Sequence, residues 1–369
     1  MTARRRRRGP SSTLAPCGLV VALALSACAA PDVSRHSLIG DPTPVGGGSP
    51  GAASVMFPSS APRTTTLKAP SAVAPPTVAP TTSTTVAPRR VRPFGVGTTV
   101  LDLADPTRAT GTTPGRHLPT LVVYPTAGAP GPRESAGAAG LDGDWPLVVF
   151  AHGYDVTPLT YAHLLHHLAE AGFVVAAPSF PLGTAGGPLD ENDLVNQPGD
   201  LRFVITQTLA ASARPGVLAG MVDGTRIAAV GHSDGGEAVL GATLVPASAD
   251  SRIGPVVAMS AQPPLPGDQP FTSAVPHPLL VVQGTQDTIN PPSLSDQLFA
   301  RDPGPKGYLH LLGGDHLSPV ADPTPWRPVV ETTVVDWLDA WFGGANAVGA
   351  AARLSHDGSV DGVARFNLG

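Results

Sequence analysis

Short apolar runs recur through the last three quarters of the chain, with polar residues breaking them at regular intervals. Residues 96–103 and 118–124 read as strands, the second ending in Val122-Val123-Tyr124 before Pro125. Residues 147–150, Leu-Val-Val-Phe, and 173–177 are continuously apolar, as strands are when both faces are covered. Between them, residues 159–171 space their apolar positions as a helix does. Residues 200–209 put Leu201, Val204, Ile205 and Leu209 on one helical face, with Asp200 as the N-cap. Residues 227–230, 255–259, 279–282 and 308–312 add four strands, and 329–342 a closing amphipathic helix with Trp337 and Trp341. Strands alternating with helices predict an α/β domain, a mostly parallel sheet with helices on both faces. In such sheets ligands sit beyond the carboxyl ends of the strands, so chemistry is sought just after each strand.

The amino terminus follows none of this periodicity. A basic run, Arg4 to Arg8, precedes an apolar stretch, 14–27, too short to span a membrane and ending in Leu25-Ser26-Ala27-Cys28. Those four residues resemble a bacterial lipobox, which implies that residues 1–27 are a signal peptide and that Cys28 is lipidated; an ordinary secretory signal is the alternative. Residues 28–92 turn to Pro, Thr, Ser and Ala, as in APSAVAPPTVAPTTSTTVAP, and read as a disordered tether. Residues 93–369 then form one catalytic domain. The expected protein is exported and held by its lipid on the outer face of the cell membrane, as a monomer.

Charge and cysteines narrow the chemistry. Removing 1–27 takes five of the 23 basic residues and none of the 28 acidic ones, moving the formal net charge from −5 to −10. An acidic exported chain is a poor nucleic-acid binder. Of the two cysteines, Cys17 would leave with the signal and Cys28 would carry lipid. No disulfide and no thiolate metal site then remain in the domain.

The run RIAAVGHSDGGEAVL carries the sharpest signal. A short strand leads into Gly231-His232-Ser233-Asp234-Gly235, a G-x-S-x-G turn, and a helix follows. That context makes Ser233 a candidate nucleophile, its Oγ held above the sheet by a strained turn between glycines. The strand at 279–282 runs on into Gln283-Gly284-Thr285-Gln286-Asp287, and that at 308–312 into Gly313-Gly314-Asp315-His316. The order Ser233, Asp287, His316 is that of the α/β-hydrolase triad, and the gaps of 54 and 29 residues each leave room for a strand–helix step. His316 would act as base, Asp287 would orient it, and the backbone amides of Tyr154 and Asp234 would receive the oxyanion. The Tyr154 ring would also wall the acyl pocket. Asp315 and Asp200 are alternative acids, and His152 is an oxyanion-loop histidine, structural rather than proton-transferring. His163, His166 and His167 have ligand-like spacing, yet without an H-E-x-x-H pattern they read as an exposed helix face. No metal and no cofactor is expected.

Several segments resemble known α/β-hydrolases: HGYDVTPLTYAHLLHHLAEAGFVVAAPSFP, NQPGDLRFVI, GHSDGG, GTQDTINP and GGDHLSPV. The resemblance is to the dienelactone-hydrolase-like group, with its platelet-activating-factor-acetylhydrolase-like, chlorophyllase-like and polyester-hydrolase (cutinase-like) branches, and spans 95–369. It implies a serine esterase acting on small or lipid-like carboxylic esters through an acyl-enzyme. Polyester hydrolases commonly have methionine where this chain has Asp234, and a disulfide near the C-terminus that this chain cannot form. The connection 259–278 is short and rich in Pro and Gly, so no large cap domain is expected. The same residues would serve a lactonase, thioesterase or amidase, and a non-catalytic surface binding lipoprotein on this scaffold is the rival from another class.

Overall fold

The computed structural model describes residues 92–264, 277–343 and 349–369. The expected signal peptide, Cys28 and all but the end of the tether lie outside the described residues, as does most of the connection 259–278. Ten strands join in one sheet: β1 (Gly95–Thr110), β2 (Thr113–Thr126), β3 (Ser135–Ala136), β4 (Trp145–Ala151), β5 (Val174–Pro178), β6 (Val222–His232), β7 (Ile253–Met259), β8 (Leu279–Gly284), β9 (Lys306–Leu311) and β10 (Ala364–Leu368). Their spatial order is β10-β9-β8-β7-β6-β4-β5-β2-β1-β3. From β5 across to β9 every neighbouring pair is parallel. The flanks add antiparallel pairs, β2 on β5, β1 on β2 and β10 on β9, and the two-residue β3 lies parallel to β1.

Helices close both faces. They are α1 (Ala162–Glu170), α2 (Gln197–Ser212), α3 (Asp234–Leu244), α4 (Pro292–Arg301), α5 (Arg327–Phe342) and α6 (Ala350–Asp357). The two-residue period of the central strands, invisible where both faces are apolar, appears in the packing. Val148, Phe150, Ala228, Val230, Val257 and Leu280 share a cluster with Leu165 and Leu168 of α1 and Val334 and Leu338 of α5. Their neighbours Leu147, Val149, Ile227, Ala229, Val256 and Val281 pack with Leu201 and Ile205 of α2 and Val239 of α3. At ~25 cal/mol per Å² of apolar surface removed from water, this double burial is the main drive to the fold.

Three expectations need correction. The first hairpin runs well past 103 and 118 to a two-residue turn at Gly111 and Thr112, where Gly111 takes φ 54°. Residues 104–117 are polar and contain Pro106 and Pro114, so they carry no strand periodicity; buried ion pairs, not apolar packing, hold them. Asp200 is not an N-cap. Its helix begins earlier, at Gln197, with Asn196 before it, and Asp200 is fully buried against Arg116. The histidine face is not uniformly open either. His163 is exposed, whereas His166 and His167 are half-buried. His163 pairs with Asp322 at 2.8 Å, and His166 with Glu134 at 3.2 Å.

Candidate active site

The turn between β6 and α3 carries Ser233 with φ 56° and ψ −127°, backbone that a side-chain-bearing residue rarely adopts. Glycines make it possible. A Cβ on Gly231 would run into the Gly235 carbonyl, and one on Gly235 into the Ala151 carbonyl. The motif's glycines are therefore required by close backbone approach on both sides of the serine.

Ser233, His316 and Asp287 come from three loops at one sheet edge and meet in a hydrogen-bonded line. His316 Nε2 lies 3.0 Å from Ser233 Oγ, and its Nδ1 lies 2.9 Å from Asp287 Oδ2. A carboxylate facing Nδ1 fixes that nitrogen as the N–H, which leaves Nε2 free to accept the serine proton. Asp287 is only 3% exposed, yet fully hydrogen-bonded. Its Oδ1 accepts from the backbone N–H of Ile289 and Asn290 at 2.9 Å each, and its Oδ2 from Gln283 Nε2 at 3.0 Å. Ser295 Oγ in turn donates to Gln283 Oε1 at 2.6 Å. Asp315, the adjacent alternative, spends its carboxylate on Ser318 and on the Leu317 and Ser318 amides within its own loop.

The loop after β4 lies against the serine, where a Cβ on Gly153 would be 3.1 Å from Ser233 Cβ. Tyr154 follows and is half-buried, and Asp155 turns the chain back with φ 52° while its N–H donates to Gly183 O at 2.9 Å. His152 holds this loop from behind. Its Nδ1 lies 2.7 Å from the Gly153 carbonyl, so it carries the proton, and its Nε2 accepts from Phe180 N–H at 3.2 Å. Burial lowers its pKa to about 4, which leaves it neutral. The Gly153 carbonyl and the Tyr154 N–H belong to one peptide, so this bond fixes the plane of the expected oxyanion donor. Asp234, at the first position of α3, has the other expected donor amide pointing out of a helix start.

The electrostatics beside the serine are acidic. Burial, then Glu191, raises the Asp234 carboxyl, and burial raises Glu237 with help from Asp234 and Glu191. Gln262 Nε2 donates to Glu237 Oε2 at 2.7 Å. Among the described residues no group of three or more His, Cys, Asp or Glu could hold a metal ion. Sequence reasoning passed over Gln283, Tyr161 and the side chain of His232. Gln283 directly follows a predicted strand, four residues before Asp287, a position that could have flagged it; nothing local marks Tyr161.

A family model described as chlorophyllase matches residues 137–286, less than half of the chain and one residue short of Asp287. No curated protein matches. Among solved structures, the chain is similar to a ferulic acid esterase from Streptomyces cinnamoneus, with 20% identity and a TM-score of 0.55 over 69% of this chain and 92% of that one. At that identity the likeness speaks for the fold, and the chain has the α/β-hydrolase fold.

Proposed function

We propose that the protein is a carboxylic ester hydrolase working through a Ser233–His316–Asp287 triad and an acyl-enzyme. Ser233 Oγ attacks the ester carbonyl while its proton passes to His316 Nε2. The tetrahedral oxyanion accepts hydrogen bonds from the Tyr154 and Asp234 amides. As the C–O bond breaks, His316 returns the proton to the departing alcohol, leaving the acyl group on Ser233. His316 then deprotonates a water that attacks the acyl carbon, and collapse frees the acid and restores Ser233. Asp287 holds the imidazole's orientation throughout.

The observation that carries this reading is the Asp287–His316–Ser233 line at 2.9 and 3.0 Å, ending on a serine with φ 56°. The matched family and the solved neighbour, both named for ester-cleaving enzymes, support the same class. A fluorophosphonate probe should label the wild-type protein at one site and leave Ser233→Ala unlabelled. Wild-type protein that neither labels nor cleaves p-nitrophenyl acetate would leave a binding role instead.

We further propose that the enzyme acts as a monomer on small or lipid-like esters and is displayed outside the cell by lipid on Cys28. The support is the sequence from Arg4 to Cys28 and the tether that follows it. Each buried CH₂ of an acyl chain contributes ~0.8 kcal/mol, and stable anchoring takes more than one chain. Cys28→Ser should therefore move the protein from the membrane fraction to the medium or block its processing. Wild-type protein found wholly soluble, with an unmodified amino terminus, would end this part of the proposal.

A further inference from the structure

A second hydrogen-bonded chain runs behind the triad and shares none of its reacting side-chain atoms. The Gly153 N–H donates to Tyr161 Oη at 2.9 Å. Tyr161 Oη lies 3.0 Å from His232 Nδ1, and His232 Nε2 lies 2.9 Å from the backbone carbonyl of His316. Both side chains are sealed in, at 2% exposure each. Phe150 packs on the Tyr161 ring at 4.8 Å between centroids, and His316 packs on His232 at 4.9 Å.

The direction of every bond follows from chemistry alone. The His316 carbonyl can only accept, so His232 Nε2 carries the proton and Nδ1 presents a lone pair. Tyr161 already accepts from Gly153, so its single O–H is free to donate to that lone pair. Burial holds His232 neutral, its pKa lowered to about 4, and burial raises the Tyr161 hydroxyl, so neither group changes charge while His316 works. The chain is fully satisfied in only this one arrangement.

Its ends are the two loops whose separation matters most. Gly153 immediately precedes Tyr154, the expected oxyanion donor. The His316 carbonyl belongs to the expected general base. His232, in the middle, immediately precedes the nucleophile.

Resting on the ester-hydrolase reading above, we infer that Tyr161 and His232 are positioning residues that set the distance between the oxyanion amide and the catalytic base. They touch no substrate. Their effect is on geometry, and a displacement near 1 Å at such a site can lower turnover by about 10²-fold.

The test measures kcat per active site, counted by fluorophosphonate titration, and KM on p-nitrophenyl butyrate. Tyr161→Phe deletes one oxygen and should lower kcat per titrated site by about 10- to 100-fold with KM within about twofold. Leu165→Ala, in the helix that Tyr161 directly precedes and in the same core but outside the chain, should lower Tm while keeping kcat per titrated site. His232→Asn can keep the Tyr161 half of the connection, and His232→Gln the His316 half; each should lose at least about tenfold. The double variant Tyr161→Phe/His232→Gln should be little worse than the worse single, since both break one chain. Should Tyr161→Phe fail to fold, the two His232 variants carry the test.

A kcat per titrated site within twofold of wild type in any folded Tyr161 or His232 variant would overturn the inference while leaving the esterase reading intact. A wild-type protein that the probe does not label would overturn that reading instead. A fall in Leu165→Ala matching that in Tyr161→Phe would reduce Tyr161 to an ordinary core residue.

Discussion

Asp287 and Asp200 are both buried aspartates near the catalytic edge of the sheet, 3% and 0% exposed, and each faces a nitrogen base or cation. Asp287 meets His316 Nδ1, and the far side of that imidazole ends on Ser233, which is half-open to solvent. Asp200 meets Arg116, itself 1% exposed, whose Nε and Nη2 donate to it at 2.8 and 2.6 Å. The remaining arms of that guanidinium end on Asp193 at 2.8 Å, and Arg108 adds a second cation at 2.7 Å from Asp200. Burial raises the Asp200 carboxyl, against the pull of the two arginines. An imidazole can hand a proton onward; a guanidinium locked between two carboxylates cannot. The same carboxylate chemistry thus supports reaction in one region and fastens a polar hairpin to α2 in the other. What differs is whether the partner has a second, unoccupied nitrogen.

The largest test of that contrast removes the reactive line. Ser233→Ala should lower kcat by at least about 10⁴-fold, and Asp287→Asn by about 10³- to 10⁴-fold, on a p-nitrophenyl ester. Asp200→Asn should keep kcat per titrated site within a few-fold. If Asp287→Asn kept near wild-type turnover while Asp200→Asn lost it, the two aspartates would have to exchange roles.

The next effect is on stability. Arg116→Met strands Asp193 and Asp200 without their main partner and should destabilise the fold by about 3–5 kcal/mol at pH 7, read by urea denaturation. Acid should lessen that deficit. A stranded buried carboxyl has its folded-state pKa raised, so it disfavours folding at neutral pH and ceases to do so below the unfolded-state value. Replacing Arg116, Asp193 and Asp200 together by apolar residues of similar volume should bring stability back to near wild type. A full loss of stability in that triple variant would mean that the ion pairs fix the hairpin's place as well as neutralising one another.

The same contrast explains what the sequence made legible. The central strands stand out because 147–150, 227–230 and 279–282 are buried on both faces and stay apolar without a break. The triad stands out because each member follows a predicted strand within a glycine-containing turn. The tip of the first hairpin does not stand out, because its anchors, Arg116, Asp193 and Asp200, are polar residues separated by whole elements and paired only in the fold. Tyr161 and His232 are hidden for the same reason, since the bond between them joins a helix start to a strand end. Pro292 opens α4, since proline is tolerated in the first turn of a helix, where its missing N–H would be unpaired anyway. The helix at Ala350–Asp357 and the strand at Ala364–Leu368 escaped notice because each is short and largely exposed, with Leu354 and Phe366 among the few positions buried.

A third buried carboxyl sharpens the comparison with a smaller effect. Glu331, on α5, is 8% exposed and has no close partner among the described residues, with Arg327 Nη1 3.8 Å away. It faces a cleft of about 570 Å³ that His163, His166, His167, Glu134, Glu170 and Arg327 also line. Burial raises its pKa from 4.5 to about 7, against the pull of Arg327 and with help from Asp322 and Glu170. Below the unfolded-state value the carboxyl is protonated in both states and favours neither. As pH rises from there to about 7, the unfolded chain gives up the proton and the folded protein keeps it, so stability falls. Above about 7 the loss is complete. At about 1.4 kcal/mol per pKa unit, the whole effect is on the order of 3 kcal/mol. Glu331→Gln removes the titration but keeps the shape. It should be more stable than wild type at pH 8 by about that amount and nearly equal to it at pH 4.5, in paired urea melts. The rest of the cleft is common to both proteins, so the difference between the two curves isolates Glu331. A constant gap between them at every pH would show that Glu331 holds its proton no more tightly in the folded protein than in the unfolded chain. The Arg327 contact would then offset the burial of Glu331, as Arg116 and Arg108 work against that of Asp200.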